Sequence, residues 1–343
     1  SKGTPMDAMQ DHDLFALTPS SGGPFLRRAL DLAKPALLRL LSLDRLRDLY
    51  RGLPQGLDAP GFIDALLDAL NIDIRASAEE LARIPRTGPV VVVANHPFGG
   101  LEGLALAKML LAVRPDVRIM ANSVLGRVPQ LRELLVCVNP FGGPVATSNN
   151  ARPLRECLTV LKEGGLLAVF PAGAVSSPRL INGRFEVADP VWSATVARLV
   201  RKTGATVVPI RFSGRNSLLF QALGLIHPKL RTLMLPREFV NKRGAAVEAR
   251  IGGAVPFERL ARLAGDGSDP DARIMRYLRL RTALLRDRPH KPRRLPTLFP
   301  PKGHSRQEAL IPAAHPDLLA DEIAARPASA TLHTSGEFAV IEA

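Results

Sequence analysis

The chain has only two cysteines in 343 residues, Cys137 and Cys157, which excludes a disulfide framework and offers no zinc-ligand spacing. They fall in a strand-like and a helix-like apolar pattern and read as buried free thiols of a reducing compartment. Aromatic residues are also scarce, at 5% with one tryptophan and two tyrosines, too little for a platform that stacks single-stranded nucleic acid. No apolar run reaches the length of a membrane span, and no signal-peptide pattern precedes the first helices, so a soluble or surface-resting protein is expected. The nucleophile elbow G-x-S-x-G, the zinc motif H-E-x-x-H, the Walker phosphate loop and the dinucleotide pattern G-x-G-x-x-G are all missing. These gaps argue against serine hydrolysis, zinc proteolysis, nucleotide hydrolysis and hydride transfer.

What the chain does have is positive charge. Its net charge of +14 calls for an anionic partner: nucleic acid, an acidic membrane surface or an acidic carrier protein. At 46% hydrophobic residues it can also bury a large core.

Val90 to Ala94 reads VVVVA, a short strand buried on both faces. It breaks into Asn95, His96, Pro97, Phe98, Gly99 and Gly100, which is turn chemistry, before Glu102 opens the helical pattern LEGLALAKMLLA. An imidazole thus stands at the carboxyl end of an interior strand, the edge where open α/β sheets bind ligands. Glu102 follows closely enough to orient the ring and stabilise its charged form, which favours acid–base catalysis over an ordinary hydrogen-bonded histidine.

Strands and helices alternate from Val90 onward, predicting an α/β fold with a mostly parallel sheet flanked by helices. The strands expected are VVVVA, VRIMAN, LLVCVNP, LLAVFPAG, TVVPIRFSG and VEARIG. Helices are expected at LEGLALAKMLL, Pro153 to Lys162, VWSATVARLVRKTG, LLFQALGL and from about Asp271 to Arg288. Residues 1–80 read as an N-terminal amphipathic helical region, 81–288 as the α/β domain, 289–330 as a basic, Pro/Ala-rich linker and 331–343 as the start of a further domain. Residues before Met6 look like an addition outside the fold. In the first region, Pro24 to Tyr50 puts leucines on one side and arginines on the rest, a composition suited to lying on anionic lipid or to packing on the domain. Phe62 to Ile74 reads as another amphipathic helix, and Ser77 with Glu80 as a capping box for a short one after it.

Three loops should gather at one edge of the sheet: NHPFGGLEG, FPAGAVSSPRLINGRF and VPIRFSGRNS. In the second, backbone donors from Phe170 to Gly173 could face an anionic or carbonyl oxygen. In the third, Arg211 and Arg215, taken singly, read as solvated or salt-bridged rather than functional. A histidine base with a carboxylate and no protein nucleophile suits direct attack by a substrate hydroxyl on an activated thioester.

The blocks NHPFGG, VNPFGG, FPAGAVS, GRNS and REFVNKRG, in that order between about Ile84 and Ile251, resemble the glycerolipid acyltransferases of the lysophosphatidic-acid (PlsC-like) type. The closer resemblance is to their hemolysin-like branch, associated with ornithine-lipid synthesis. It implies transfer of a fatty acyl chain from acyl carrier protein or acyl-CoA, as co-substrate with no bound cofactor or metal, to the hydroxyl of a lysolipid acceptor. His96 would be the general base and Glu102 the acid that orients it. Asn95, Phe98, Gly99, Gly100, Asn122, Phe170, Pro171, Gly173, Ser176, Arg215 and Asn216 would form the substrate-binding set, with Pro209 in the fourth block. The expected partners are an anionic membrane surface and the carrier protein, with no nucleic acid, at a cytoplasmic site on the inner face of the cell membrane.

Departures from the family pattern carry information. The widespread spacing H-x4-D is here His96 to Glu102, one position and one methylene longer. The widespread third block, FPEGTRS, has a glutamate and an arginine where this chain has Ala172 and Val175. A phosphate site without its arginine binds phosphate poorly, so an acceptor without a phosphate, such as a lyso-ornithine lipid, is expected. Ala174 stands where the close branch has glutamate, which leaves a lipid-binding protein without catalysis as the alternative, beside a lysophosphatidic-acid acyltransferase. The ending LHTSGEFAVIEA resembles the first strand of the GNAT-type N-acyltransferase domain that follows in bifunctional members.

Overall fold

Seven strands form one sheet in the order β1-β9-β8-β2-β5-β3-β4. In chain order these are β1 (Asp73–Arg75), β2 (Val90–Ala94), β3 (Val117–Asn122), β4 (Leu135–Val138), β5 (Leu166–Val169), β8 (Thr206–Phe212) and β9 (Ala246–Ile251), while β6 (Ser177–Ile181) and β7 (Arg184–Ala188) pair separately as an antiparallel hairpin. In the computed structural model the described residues are 39–138, 151–181, 183–265 and 268–287, all within the unit Ser1–Phe299. The first part of the N-terminal helical pattern, most of the VNPFGG block, and everything from residue 288 onward lie outside them.

Strands β8, β2, β5, β3 and β4 run parallel, whereas β9 runs antiparallel to β8 and parallel to β1. The mostly parallel α/β sheet expected from the sequence is therefore present. The sheet begins at Asp73, ahead of residue 81 where the sequence suggests the α/β region starts.

The helices are α1 (Leu43–Arg51), α2 (Ala59–Ala69), α3 (Ala78–Leu81), α4 (Gly100–Val113), α5 (Ala151–Lys162), α6 (Ala194–Thr203), α7 (Leu218–Ile226), α8 (Pro228–Leu233), α9 (Leu235–Asn241), α10 (Phe257–Ala264) and α11 (Pro270–Ala283). The four valines of β2 show why both faces must be covered. Val90, Val92 and Ala94 join one core with Phe62 and Leu67 of α2 and Leu101 and Met109 of α4. Val91 and Val93 point the other way, into a core with Val196 and Val200 of α6, Leu260 of α10 and Ile274 of α11. Alternate side chains of one strand thus feed two apolar layers, which fixes β2 at the centre of the sheet.

Several local readings change. The helix expected over Phe62 to Ile74 stops at Ala69, because Asn71 takes a left-handed φ of 49° and Ile74 is drawn into β1 opposite Val247. The stretch after FPAGAVS is the β6–β7 hairpin rather than a loop. The basic segment LRTLMLPREFVNKRG is largely helical, forming α9 and part of α8. The last helix ends at Ala283 and tightens into a 3-10 turn over Leu284–Asp287. Ser77 does cap α3, accepting the Glu80 N–H, and the Glu80 carboxylate accepts the Ile251 N–H and pairs with Arg83.

Candidate active site

The parallel strands β2, β3, β5 and β8 end on the same edge of the sheet, so their following loops converge there. Asn95, the first residue past β2, accepts the Phe212 N–H through Oδ1 at 2.7 Å and donates Nδ2 to the Phe212 carbonyl at 2.9 Å. Its amide thus acts as one more rung of the β2–β8 ladder, and both of its polar groups are spent on backbone.

His96 is held through its main chain. Its N–H donates to Asp189 Oδ1 at 3.2 Å, and its carbonyl accepts from the Ser176 N–H at 2.8 Å and the Ser176 hydroxyl at 3.2 Å. The ring stacks on Phe170, centroids 4.4 Å apart and planes 29° from parallel. Nδ1 lies 2.9 Å from Glu102 Oε1, an ion-pair distance, although no hydrogen bond is formed at Nδ1 among the described residues. The longer H-x5-E spacing therefore does not part the acid from the ring.

Glu102 sits in the first turn of α4, fully buried, where the helix N-terminus favours a negative charge. Its Oε1 also accepts the N–H groups of Phe98 and Gly99, each at 2.9 Å. With Nδ1 facing the acid, Nε2 is the ring nitrogen that Glu102 does not engage.

Gly99 has φ 107°, and a Cβ there would come 2.8 Å from the side chain of Leu235 at the start of α9. Gly214, with φ 119°, would drive a Cβ into the Phe98 ring. Both glycines let backbone pass where a side chain would not fit. Phe239 of α9 similarly lies against Gly100.

Among the described residues, the contacts bring most of the expected site residues together. Asn216 is buried and donates Nδ2 to the Phe98 carbonyl at 3.0 Å, leaving its Oδ1 buried without a hydrogen-bond partner. Arg215 is exposed, and its carbonyl rather than its guanidinium takes part, accepting Lys242 Nζ at 2.8 Å. Asn122 ends β3, two strands away from β2, and its side chain is occupied by the turn that follows, accepting the Val124 N–H at 3.1 Å.

The third block departs from expectation at its backbone. The Gly173 N–H closes a turn onto the Phe170 carbonyl at 3.0 Å, and the Pro171 carbonyl accepts from Ser193 N–H. The Gly173 amide, expected as an oxyanion donor, is thus already bonded. Val175, where the widespread pattern has arginine, is buried among Leu41, Leu43, Phe220 and Met234.

Sequence reasoning missed three groups here. Asp189 is buried and gathers the His96 N–H, the Ser176 hydroxyl and Trp192 Nε1 on one carboxylate. The chain's lone tryptophan, three residues after an aspartate and just ahead of a helix, was the available signal. Glu238 is buried and holds both the backbone N–H and the hydroxyl of Ser217, the residue that caps α7. Lys242 lies with Nζ 4.9 Å from the centre of the Phe98 ring, and burial draws its ammonium below the ordinary lysine value of 10.5, against the pull of Glu238 and Glu102. Glu238 and Lys242 both belong to the REFVNKRG block. Among the described residues, no group of three or more His, Cys, Asp or Glu is arranged to hold a metal ion.

The model of an acyltransferase family matches residues 43–288. The chain is 28% identical over 206 residues to a lyso-glycine lipid O-acyltransferase of Phocaeicola vulgatus, covering 57% of this chain and 69% of that one. It is 27% identical over 206 residues to a lyso-glycine lipid O-acyltransferase of Bacteroides thetaiotaomicron, covering 57% and 71%. Among solved structures it is similar to the 1-acyl-sn-glycerophosphate acyltransferase PlsC of Thermotoga maritima, at 19% identity with a TM-score of 0.42, over 78% of this chain and 91% of that one. Because the family model spans well over half of the sequence, the chain belongs to this acyltransferase family and is an acyltransferase.

Proposed function

We propose that this acyltransferase moves a fatty acyl chain from a thioester donor, acyl carrier protein or acyl-CoA, to the hydroxyl of a lysolipid whose head group is an amino acid. The observation that carries this reading is the His96–Glu102 pair beside a third block without arginine. His96 Nε2 takes the proton of the acceptor hydroxyl, and the oxygen attacks the thioester carbonyl carbon. As the tetrahedral intermediate collapses, the C–S bond breaks and the thiolate leaves with the proton held on Nε2. Ester and free thiol are the products, and the histidine returns neutral. Glu102 offsets the positive charge that the imidazole gains in between.

A buried Val175 and an uncharged Ala172 offer nothing to a phosphate dianion, which supports an acceptor lacking one. The relatives named for lyso-glycine lipid support the same class, and lyso-ornithine lipid is its other test member.

The work is interfacial in this reading. No helix among the described residues is long and apolar enough to cross a membrane. Helices α7 and α8, which pack on each other, leave Leu218, Leu225, Ile226, Leu230 and Leu233 exposed, at 77% for Leu218 and 73% for Ile226. Leu180, on the neighbouring strand β6, adds to this apolar face at 67% exposure. Such a face on a chain of net charge +14 suits an anionic bilayer surface, on the cytoplasmic side where the thioester donors are found.

The test is acceptor competition. With a common thioester donor, lyso-ornithine and lyso-glycine lipids should be acylated with kcat/KM at least tenfold above lysophosphatidic acid. Equal or faster turnover of lysophosphatidic acid would overturn the acceptor assignment.

A further inference from the structure

The REFVNKRG segment straps the candidate site from outside. Leu235 and Phe239 of α9 lie against Gly99 and Gly100, Glu238 fixes Ser217, and Arg243 donates to the Ala69 carbonyl at 3.0 Å. Every one of these contacts is spent inside the protein. Lys242 differs from its neighbours. It is half-buried and, among the described residues, makes one hydrogen bond, to the Arg215 carbonyl at 2.8 Å, and forms no ion pair. Glu102 and Glu238 are near enough to favour its charge, yet neither reaches ion-pair distance.

A protonated amine has three donors, so two remain for a ligand. Partly withdrawn from water and set over the Phe98 face, this cation has no ion-paired carboxylate among the described residues. Phe98 is also the residue whose N–H is bonded to Glu102, so the free donors of Lys242 stand one side chain from the His96–Glu102 pair. An amino acid acylated on its α-nitrogen keeps its carboxylate, a single negative charge a few bonds from the acyl chain that bears the hydroxyl. One ammonium matches one carboxylate, whereas a phosphate dianion would call for the arginine that Val175 replaces.

We infer that Lys242 binds the head-group carboxylate of the lysolipid acceptor and so sets the enzyme's choice of an amino-acid lipid; this rests on the acceptor class proposed above. Lys242 is a specificity residue in this role, because the reacting oxygen is on the acyl chain and not on the carboxylate.

The test compares a lyso-glycine lipid with its methyl ester, which is uncharged at the same position, in wild type, Lys242→Met and Lys242→Arg. Wild type should prefer the acid by about 10- to 100-fold in kcat/KM, the scale of a charge-assisted hydrogen bond. Lys242→Met should raise the acceptor KM by the same factor, leave kcat and donor KM within about threefold, and erase the preference for the acid; Lys242→Arg should restore much of it. Thermal unfolding of each variant separates a folding defect from a binding one, and Lys242→Arg retains the charge if Lys242→Met folds poorly. Equal use of acid and ester by wild type would overturn the assignment to Lys242 alone. A rise confined to the donor KM would overturn it in favour of a donor phosphate. Wild type that acylates neither compound would overturn the acceptor class and the lysine's role together.

Discussion

Asp189 accepts three hydrogen bonds on one buried carboxylate, from the His96 backbone, Ser176 and Trp192, while its own carbonyl accepts from Arg279 at 3.1 Å. It thereby joins the β2 loop, the third block and the start of α6. Truncating it would leave three donors without an acceptor in a dry place, each at about 1–3 kcal/mol before relaxation. Asp189→Ala should therefore lower the unfolding free energy by about 3 kcal/mol, read by urea titration, and reduce kcat by more than ten-fold in the fraction that remains folded. A loss under about 0.5 kcal/mol would show that the network is not holding the loop. The two thiols, both expected to be buried, differ: Cys157 is buried in the core, whereas Cys137 at the edge strand β4 is only half-buried. Burial pushes the Cys157 thiol up to about 12 and raises that of Cys137 more modestly, so neither is primed as a nucleophile.

At the scale of elements, the strongest signals in the sequence were those with a long apolar period. The interior strands β2, β5 and β8 and the helices α4 and α6 could be read because burial on two faces leaves unbroken valine and leucine runs. The elements that escaped are short or governed by partners distant in sequence. β1 is three residues long and exists because β9 supplies its hydrogen bonds, more than 170 positions away. The β6–β7 hairpin was signalled by Asn182 and Gly183 between alternating residues, a turn pair that a loop reading of the third block passes over. The face of α7 and α8 was hidden for a related reason, since an apolar helix reads as core until its exposure is known. If that face meets lipid, the paired substitution Leu225→Asp and Ile226→Asp should weaken binding to phosphatidylglycerol vesicles by at least tenfold in a sedimentation assay, with unfolding temperature nearly unchanged. Unchanged vesicle binding would assign the membrane contact to another part of the chain.

Across the whole molecule, the approach of Glu102 to His96 was legible in the sequence, and its surroundings were not. His96 and Glu102 are close in sequence, and the helix start after β2 brings the acid back onto the ring, so spacing alone pointed to them. Lys242 and Asp189 come 146 and 93 positions later, a separation over which only the fold decides who meets. The same limit explains Gly173, whose amide looked free on paper and is bonded within its own turn. What unites the pieces is a sheet whose parallel strands all deliver their loops to one edge, where His96, the buried Glu102 and the ammonium of Lys242 are brought together. The most direct measurement is mass-spectrometric detection of diacylated lipid from lyso-ornithine or lyso-glycine lipid and an acyl thioester, with wild type and His96→Ala side by side. Wild type should form the product, and His96→Ala should form it about 10²- to 10⁴-fold more slowly with an unaltered unfolding transition. Product formed by His96→Ala at the wild-type rate would contradict the histidine's role as base, and with it the mechanism built on the edge of β2.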